Sequence, residues 1–230
     1  MIWRFAAVNI YAEMLECFEN LLKVKYKASE NGGSYCIERR GSELFIFFEG
    51  SNGGVDWANN LDFPSAPYSD MPCKWRCHRG FVRVFKSLLP HIKEAILDRS
   101  VSRMTICGYS HGGALALLCH EYAWYNRADL RADRLRSFAI GAPRVIFAPR
   151  GICTRLEERF VGLELVRNID DVVTHLPPLF LGYTHPREPI LIGERGKYSR
   201  IDAHRPENYL AELSCAAGKF EQQKTMGRQF

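Results

Sequence analysis

Residues 105–118 read TICGYSHGGALALL: an apolar, β-branched run, then Ser110 between Gly108 and Gly112, then a string of helix formers. A strand that turns into a helix within one residue needs a sharp corner, and glycines on either side of the apex let the two elements approach closely. The central residue of such a corner is strained and projects its side chain above the C-terminal edge of the sheet. There it meets a helix N-terminus, whose unpaired N–H groups and dipole favour developing negative charge. Ser110 is read as a nucleophile on these grounds. The competing reading is a helix N-cap, which serine also suits.

The flanking sequence supplies the sheet that this corner requires. A helical N-terminus over about 8–23 precedes SYCIERR and ELFIFFEG, two strand-like runs joined at Gly41-Ser42 in a hairpin pattern. GFVRVFKSLLPHIKEAILDR carries apolar residues at helical spacing, with Pro90 expected to kink or break it. MTICG, GGALALLCHEYAWYN, LRSFAIG and LELVRN then read as strand, helix, strand and strand. Strands interleaved with helices predict an α/β fold with a mostly parallel central sheet flanked by helices on both faces. No repeat or linker divides the chain, so residues 1–230 are expected to form one domain, with a frayed tail over about 216–230.

Composition excludes several classes. An apolar fraction of 47% and a charged fraction of 25% suit a globular protein rather than a disordered or fibrous one. The formal charge of +5 is spread along the chain, which argues against a nucleic-acid surface but allows attraction to an anionic interface. No apolar run approaches the ~18 residues of a membrane span, and the opening stretch carries acids through its apolar residues, unlike a signal peptide. The eight cysteines are accordingly expected as free, mostly buried thiols in a reducing, cytoplasmic setting. Cys73 and Cys77 bracket a tripeptide, but a zinc site would need further ligands at recognised spacing.

A serine nucleophile needs a base, and the base needs an orienting acid, in the chain order Ser, Asp or Glu, His. His78 and His91 precede Ser110, and His111 and His120 share its elbow and helix, which leaves His175, His185 and His204 tied. The residue after the nucleophile, His111, supplies one backbone N–H for an oxyanion hole.

FFEGSNGGVDWANNL, CHRGFVRVFKSL, GYSHGGALA, FAIGAPRV, NIDDVVTHLPP, GYTHPREPILI and IDAHRPENYL follow one another in the order of seven motifs. Together they resemble the class 3 lipases, the fungal-type triacylglycerol lipases of the α/β-hydrolase superfamily, from about Leu44 to Leu210. The resemblance implies an α/β-hydrolase fold and hydrolysis of lipid or glyceride esters through an acyl-serine, with no metal or cofactor. It makes Ser110 the nucleophile, Asp171 the acid, His204 the base and Ser51 the second oxyanion donor. Asp170, the rival acid, becomes a structural neighbour because the D-x-V-x-x-L-P-P spacing begins at Asp171, while His185 takes a packing role and His175 a solvated one. A thioesterase, acyltransferase, phospholipase or peptidase could use the same triad, and a catalytically idle lipid binder is the rival from another class.

Tyr109 and His111 replace the family's usual elbow residues, Glu49 stands where a basic residue is common, and Pro186-Arg187 interrupts a usual glycine. The span 51–79 occupies the family's lid position, where Val55, Trp57, Leu61 and Phe63 make either a cover that contacts a lipid interface or a static loop packed inward. Asp56, Asn59, Asn60 and Asp62 leave only a narrow apolar stripe, which favours the static loop.

Overall fold

A computed structural model describes residues 9–29, 32–51, 62–68, 75–131 and 133–226. The central sheet has seven strands: β1 (Lys27–Ala28), β2 (Ser34–Arg40), β3 (Glu43–Phe48), β6 (Arg103–Tyr109), β7 (Leu135–Ile140), β9 (Leu163–Asn168) and β11 (Ile190–Ile192), in that spatial order. The hairpin β2–β3 is antiparallel, with Gly41 at φ 61° in its two-residue turn, a conformation glycine adopts without steric cost. From β3 onward every neighbour is parallel, as the alternation of elements predicts.

Both sheet faces are covered. On one, Leu44, Ile46, Phe48, Met104 and Ile106 meet helices α2 (Arg79–Leu97) and α3 (His111–Asn126). On the other, Phe47, Cys107, Phe138 and Ile140 meet α1 (Ile10–Leu21) and α5 (Pro206–Met226), through Met14, Phe18, Tyr209 and Leu213. Successive side chains of β3 and β6 thus enter opposite cores, which is why these strands read as continuous apolar runs rather than alternating ones. Helix α3 is buried from His111 through Ala123, matching an apolar surface with no polar face. A one-turn helix, α4 (Thr154–Glu157), leads towards β9.

Three features differ from the sequence expectation. Pro90 does not break α2: it lies on the exposed side of the helix, so the backbone bond that its missing N–H cannot make is not buried. The tail is not frayed at 216, because α5 runs to Met226 and packs on α1. There the Asn9 amide donates to Ala217 O at 3.1 Å and to Glu221 Oε1 at 2.9 Å. A helix resting on one other helix needs few apolar residues, and that sparseness looked like disorder in the sequence. A second, antiparallel sheet joins β10 (Tyr183–Thr184), β8 (Ile146–Phe147), β5 (Arg76–His78) and β4 (Ser65–Pro67) in that order; strands of two or three residues carry no periodicity to read. The lid-position residues Val55, Trp57 and Leu61 lie outside the described residues, as does Cys73, while Phe63 is half-buried and Cys77 is a buried thiol.

Candidate active site

Strand β6 ends at Tyr109 and α3 begins at His111, with Ser110 between them at φ 54° and ψ −119°. Among the described residues it is the one non-glycine with positive φ, a strain of ~1–3 kcal/mol that the surroundings must impose. Close packing imposes it. A Cβ on Gly108 would lie 2.0 Å from Gly112 O, and one on Gly112 would lie 2.2 Å from Phe48 O. Ser110 makes no side-chain capping bond, which disposes of the N-cap reading. Its hydroxyl lies 2.8 Å from His204 Nε2.

His204 sits in a short 3₁₀ turn just before α5, and Asp171 follows β9, so three separate sheet-edge segments converge. The His204 Nδ1–H donates to Asp171 Oδ2 at 2.7 Å. Asp171 is wholly buried, and its charge is met from further sides: Tyr209 Oη–H donates to Oδ2 at 2.6 Å and Val173 N–H to Oδ1 at 2.8 Å. Burial and the Asp171 charge push the Tyr209 phenol well above its ordinary range, so it stays a donor. The Asp170 carboxylate instead accepts from Gly196 N–H in the loop after β11.

The other histidines have other surroundings. His185 Nε2 donates to Thr174 O at 2.9 Å, and burial pushes its pKa down to about 4. His175 is exposed, as expected of a solvated residue, with its carbonyl accepting from Arg144. His120 is buried, paired through Nδ1 with Ser137 Oγ at 2.7 Å and pushed down to about 3 by desolvation. His91 stacks on Tyr35 and His78 on Phe81. The His111 imidazole packs edge-on against Phe81, its centroid 5.4 Å away.

Ser110, His204, His111 and Ser51 all line a cavity of about 400 Å³. Its apolar wall comes from Phe63, Phe81, Val173 and Leu176, and on one side from Leu21, Leu22 and Tyr26 at the end of α1 and just beyond it.

Three supporting residues were missed in the sequence. Tyr109 stacks on the His204 ring (5.3 Å between centroids, 22° between planes) and donates its hydroxyl to His204 O. Its signal was its departure from the usual elbow residue. Tyr209, five positions after His204, clamps Asp171 while accepting from Asn168 N–H at 3.1 Å. Buried Arg144 donates to the His175 and Pro177 carbonyls and so fixes the turn after Asp171; its place in GAPRV was visible, but no role was.

Comparison with known proteins places this geometry in a context. The model of the family described as lipase (class 3) matches residues 45–181. A Rhizomucor miehei lipase is 28% identical over 154 residues, covering 63% of this chain and 40% of the relative. A secreted mono- and diacylglycerol lipase of Fusarium solani is 26% identical over 161 residues, covering 67% of this chain and 45% of the relative. The chain thus spans less than half the length of these curated relatives. Among solved structures, Rhizomucor miehei triacylglyceride lipase superposes with a TM-score of 0.66 at 20% identity, covering 83% of each chain. A fungal lipase–inhibitor complex gives 0.62 at 23% identity, covering 74% of this chain and 65% of the other. These likenesses show the α/β-hydrolase fold.

They also correct the expected compartment. The cytoplasmic reading rested on acids in the opening stretch and on a prior about free thiols, neither of which tests where a protein goes. The names of relatives from Malassezia globosa and Fusarium solani state that those proteins are secreted.

Proposed function

The chain belongs to the class 3 lipase family, and from that premise we propose that it hydrolyses carboxylic esters of lipids or glycerides through an acyl-serine intermediate, with 1–230 working as one catalytic domain. The observation that carries this reading is the continuous chain Ser110 Oγ, His204, Asp171, at 2.8 and 2.7 Å, opening into an apolar cavity.

In the proposed reaction Ser110 Oγ attacks the ester carbonyl carbon and His204 Nε2 takes the hydroxyl proton. Asp171 holds the imidazole with Nε2 free to accept, and stabilises the imidazolium that forms. The carbonyl oxygen becomes an oxyanion. It is met by the backbone N–H of His111, at the start of α3, and by that of Ser51 across the cavity, each such donor being worth ~3–4 kcal/mol. His204 then protonates the leaving alkoxide, and a water activated by the same imidazole releases the acid. The apolar wall would hold the acyl chain, and contact with a lipid interface belongs to the same proposal.

Turnover of p-nitrophenyl esters of graded chain length, beside triglyceride and phospholipid emulsions, tests it. Ser110→Ala, His204→Ala and Asp171→Asn should each lower turnover by orders of magnitude in folded protein, whereas Asp170→Asn should not. A fluorophosphonate should label Ser110 alone; folded protein that takes up no label would instead be an idle lipid binder.

A further inference from the structure

The 3₁₀ turn Val173–His175 has a cavity on each side. Val173 lines the catalytic cavity, while Val172 and His175 line a second one, about 720 Å³, with Arg195, Arg200, Ser199 and Asp170. The two cavities therefore open beside one another, separated by a single turn of chain.

The second cavity is unbalanced in charge. Arg195 and Arg200 are exposed, and among the described residues neither makes an ion pair or side-chain hydrogen bond. Arg144 spends its guanidinium on the His175 and Pro177 carbonyl oxygens and on the His175 ring Nδ1 rather than on a carboxylate. One carboxylate among the described residues lines the cavity, Asp170, which accepts from Gly196 N–H and leaves two guanidiniums against a single negative charge, while Asp171 is taken up by His204, Tyr209 and Val173. His175, at the wall of this cavity, has its proton affinity lowered by partial desolvation first and then by the Arg167, Arg144 and Arg200 charges, which outweigh the opposing charge of Asp171.

The chain segments that lead on from this lining carry bare apolar side chains. Leu176, which also lines the catalytic cavity, is followed by Leu179 at 61% and Phe180 at 86% exposure, and Ile201, next to Arg200, is 76% exposed. Large apolar groups so exposed, within a few residues of cavity-lining positions, mark a surface that is covered in use. Apolar side chains near arginines that make no ion pair match a bilayer with anionic headgroups better than an apolar protein face, which would leave the guanidiniums buried and unpaired.

We propose that this face docks on phosphate-bearing lipid, with a headgroup phosphate held in the second cavity by Arg195 and Arg200 while Leu179, Phe180 and Ile201 enter the acyl region. Guanidinium forks suit phosphate oxygens. Docked in this way, the catalytic mouth faces the membrane. The inference builds on the lipid-ester reading but is measured without turnover.

The test is binding to vesicles of phosphatidylcholine alone and of phosphatidylcholine with phosphatidylglycerol, by co-sedimentation. The parent chain should prefer the anionic vesicles and lose that preference in 1 M salt, where the screening length falls to about 3 Å. Arg195→Gln with Arg200→Gln should weaken anionic-vesicle binding about 30-fold, about fivefold per charge, and leave neutral-vesicle binding unchanged. Phe180→Ser should weaken both about tenfold. None of these changes should move turnover of a soluble short-chain ester by more than about twofold, which also reports folding; Arg195→Lys with Arg200→Lys should keep the preference. Equal binding to both vesicles, or a preference that survives the Gln pair, overturns the proposal. So does inorganic phosphate that raises the melting temperature of the parent chain while vesicles show no preference, which would make the cavity a site for free phosphate. Anionic preference without turnover of any ester would sink the hydrolase reading and leave this one standing.

Discussion

Tyr209→Phe removes one oxygen, and the geometry assigns that oxygen two jobs. Its proton goes to Asp171 Oδ2 at 2.6 Å, and its lone pair takes the Asn168 N–H at 3.1 Å, with the ring fully buried. A hydrogen bond to a charged group is worth ~1.5–3 kcal/mol, and a buried N–H left without an acceptor costs ~1–3 kcal/mol. Phenylalanine recovers part of this through its more apolar ring, so a net loss of about 3 kcal/mol is expected. For a chain of 230 residues that lowers the melting temperature by about 6–12 °C. Activity should fall far less. Asp171 keeps Val173 N–H and His204, so the imidazole tautomer survives and kcat should drop about tenfold, against about 10⁴-fold for Asp171→Asn. Thermal melts and soluble-ester kinetics on Tyr209→Phe should therefore show a large loss of stability beside a modest loss of rate. A Tyr209→Phe protein that melts within about 2 °C of its parent would show that the hydroxyl is not the clamp that the distances imply.

Gly112→Ala places a methyl 2.2 Å from Phe48 O and 2.4 Å from Glu49 O, both backbone atoms of the segment leading to Ser51, so β3 must shift. The expected result is weak expression or turnover reduced by at least about 100-fold; activity near that of the parent chain would reject the packing account of the elbow. Leu22→Trp narrows the cavity from its α1 side and should move the preferred p-nitrophenyl ester to shorter acyl chains, with little change for acetate; an unchanged profile would place the acyl chain elsewhere. His120 has its pKa pushed down from 6.5 to about 3, so between those values the unfolded chain binds the extra proton and stability falls as pH falls, by up to about 1.4 kcal/mol per unit. Urea melts of the parent chain and His120→Gln from pH 7 to 4 isolate this slope, because Glu121, whose raised pKa of about 7 acts oppositely, is common to both; parallel slopes would contradict it.

The legible parts of the fold are those where one residue type answers one physical demand. Gly41 takes a positive φ in a two-residue turn, Gly108 and Gly112 stand where a Cβ would meet backbone, and the apolar runs of β3 and β6 are strands buried on both faces. The parallel sheet followed from these alone. The base and the acid did not. Order left His175, His185 and His204 equal, and only the family motifs set Asp171 apart from Asp170, whose side chain differs in nothing but where the next turn carries it. Illegible altogether were elements stabilised by partners far along the chain: the short strands β4, β5, β8 and β10, the last turns of α5 on α1, and the Tyr209 hydroxyl.

Tyr109 shows why such contacts escape a linear reading. Its position is fixed by β6, its ring by Phe18 and Tyr209 in the core beneath, and its outer face by His204, 95 residues later in the chain. A side chain here must reach the carbonyl of the histidine turn and also lie flat against the imidazole. Tyrosine does both from the position next to Ser110, so the strand that strains the proposed nucleophile also carries the support of its proposed base. The base then needs no rigid loop of its own: His204 can sit in a single 3₁₀ turn, half-open to the cavity, because the rings of Tyr109 and Tyr209 meet it from two nearly perpendicular directions.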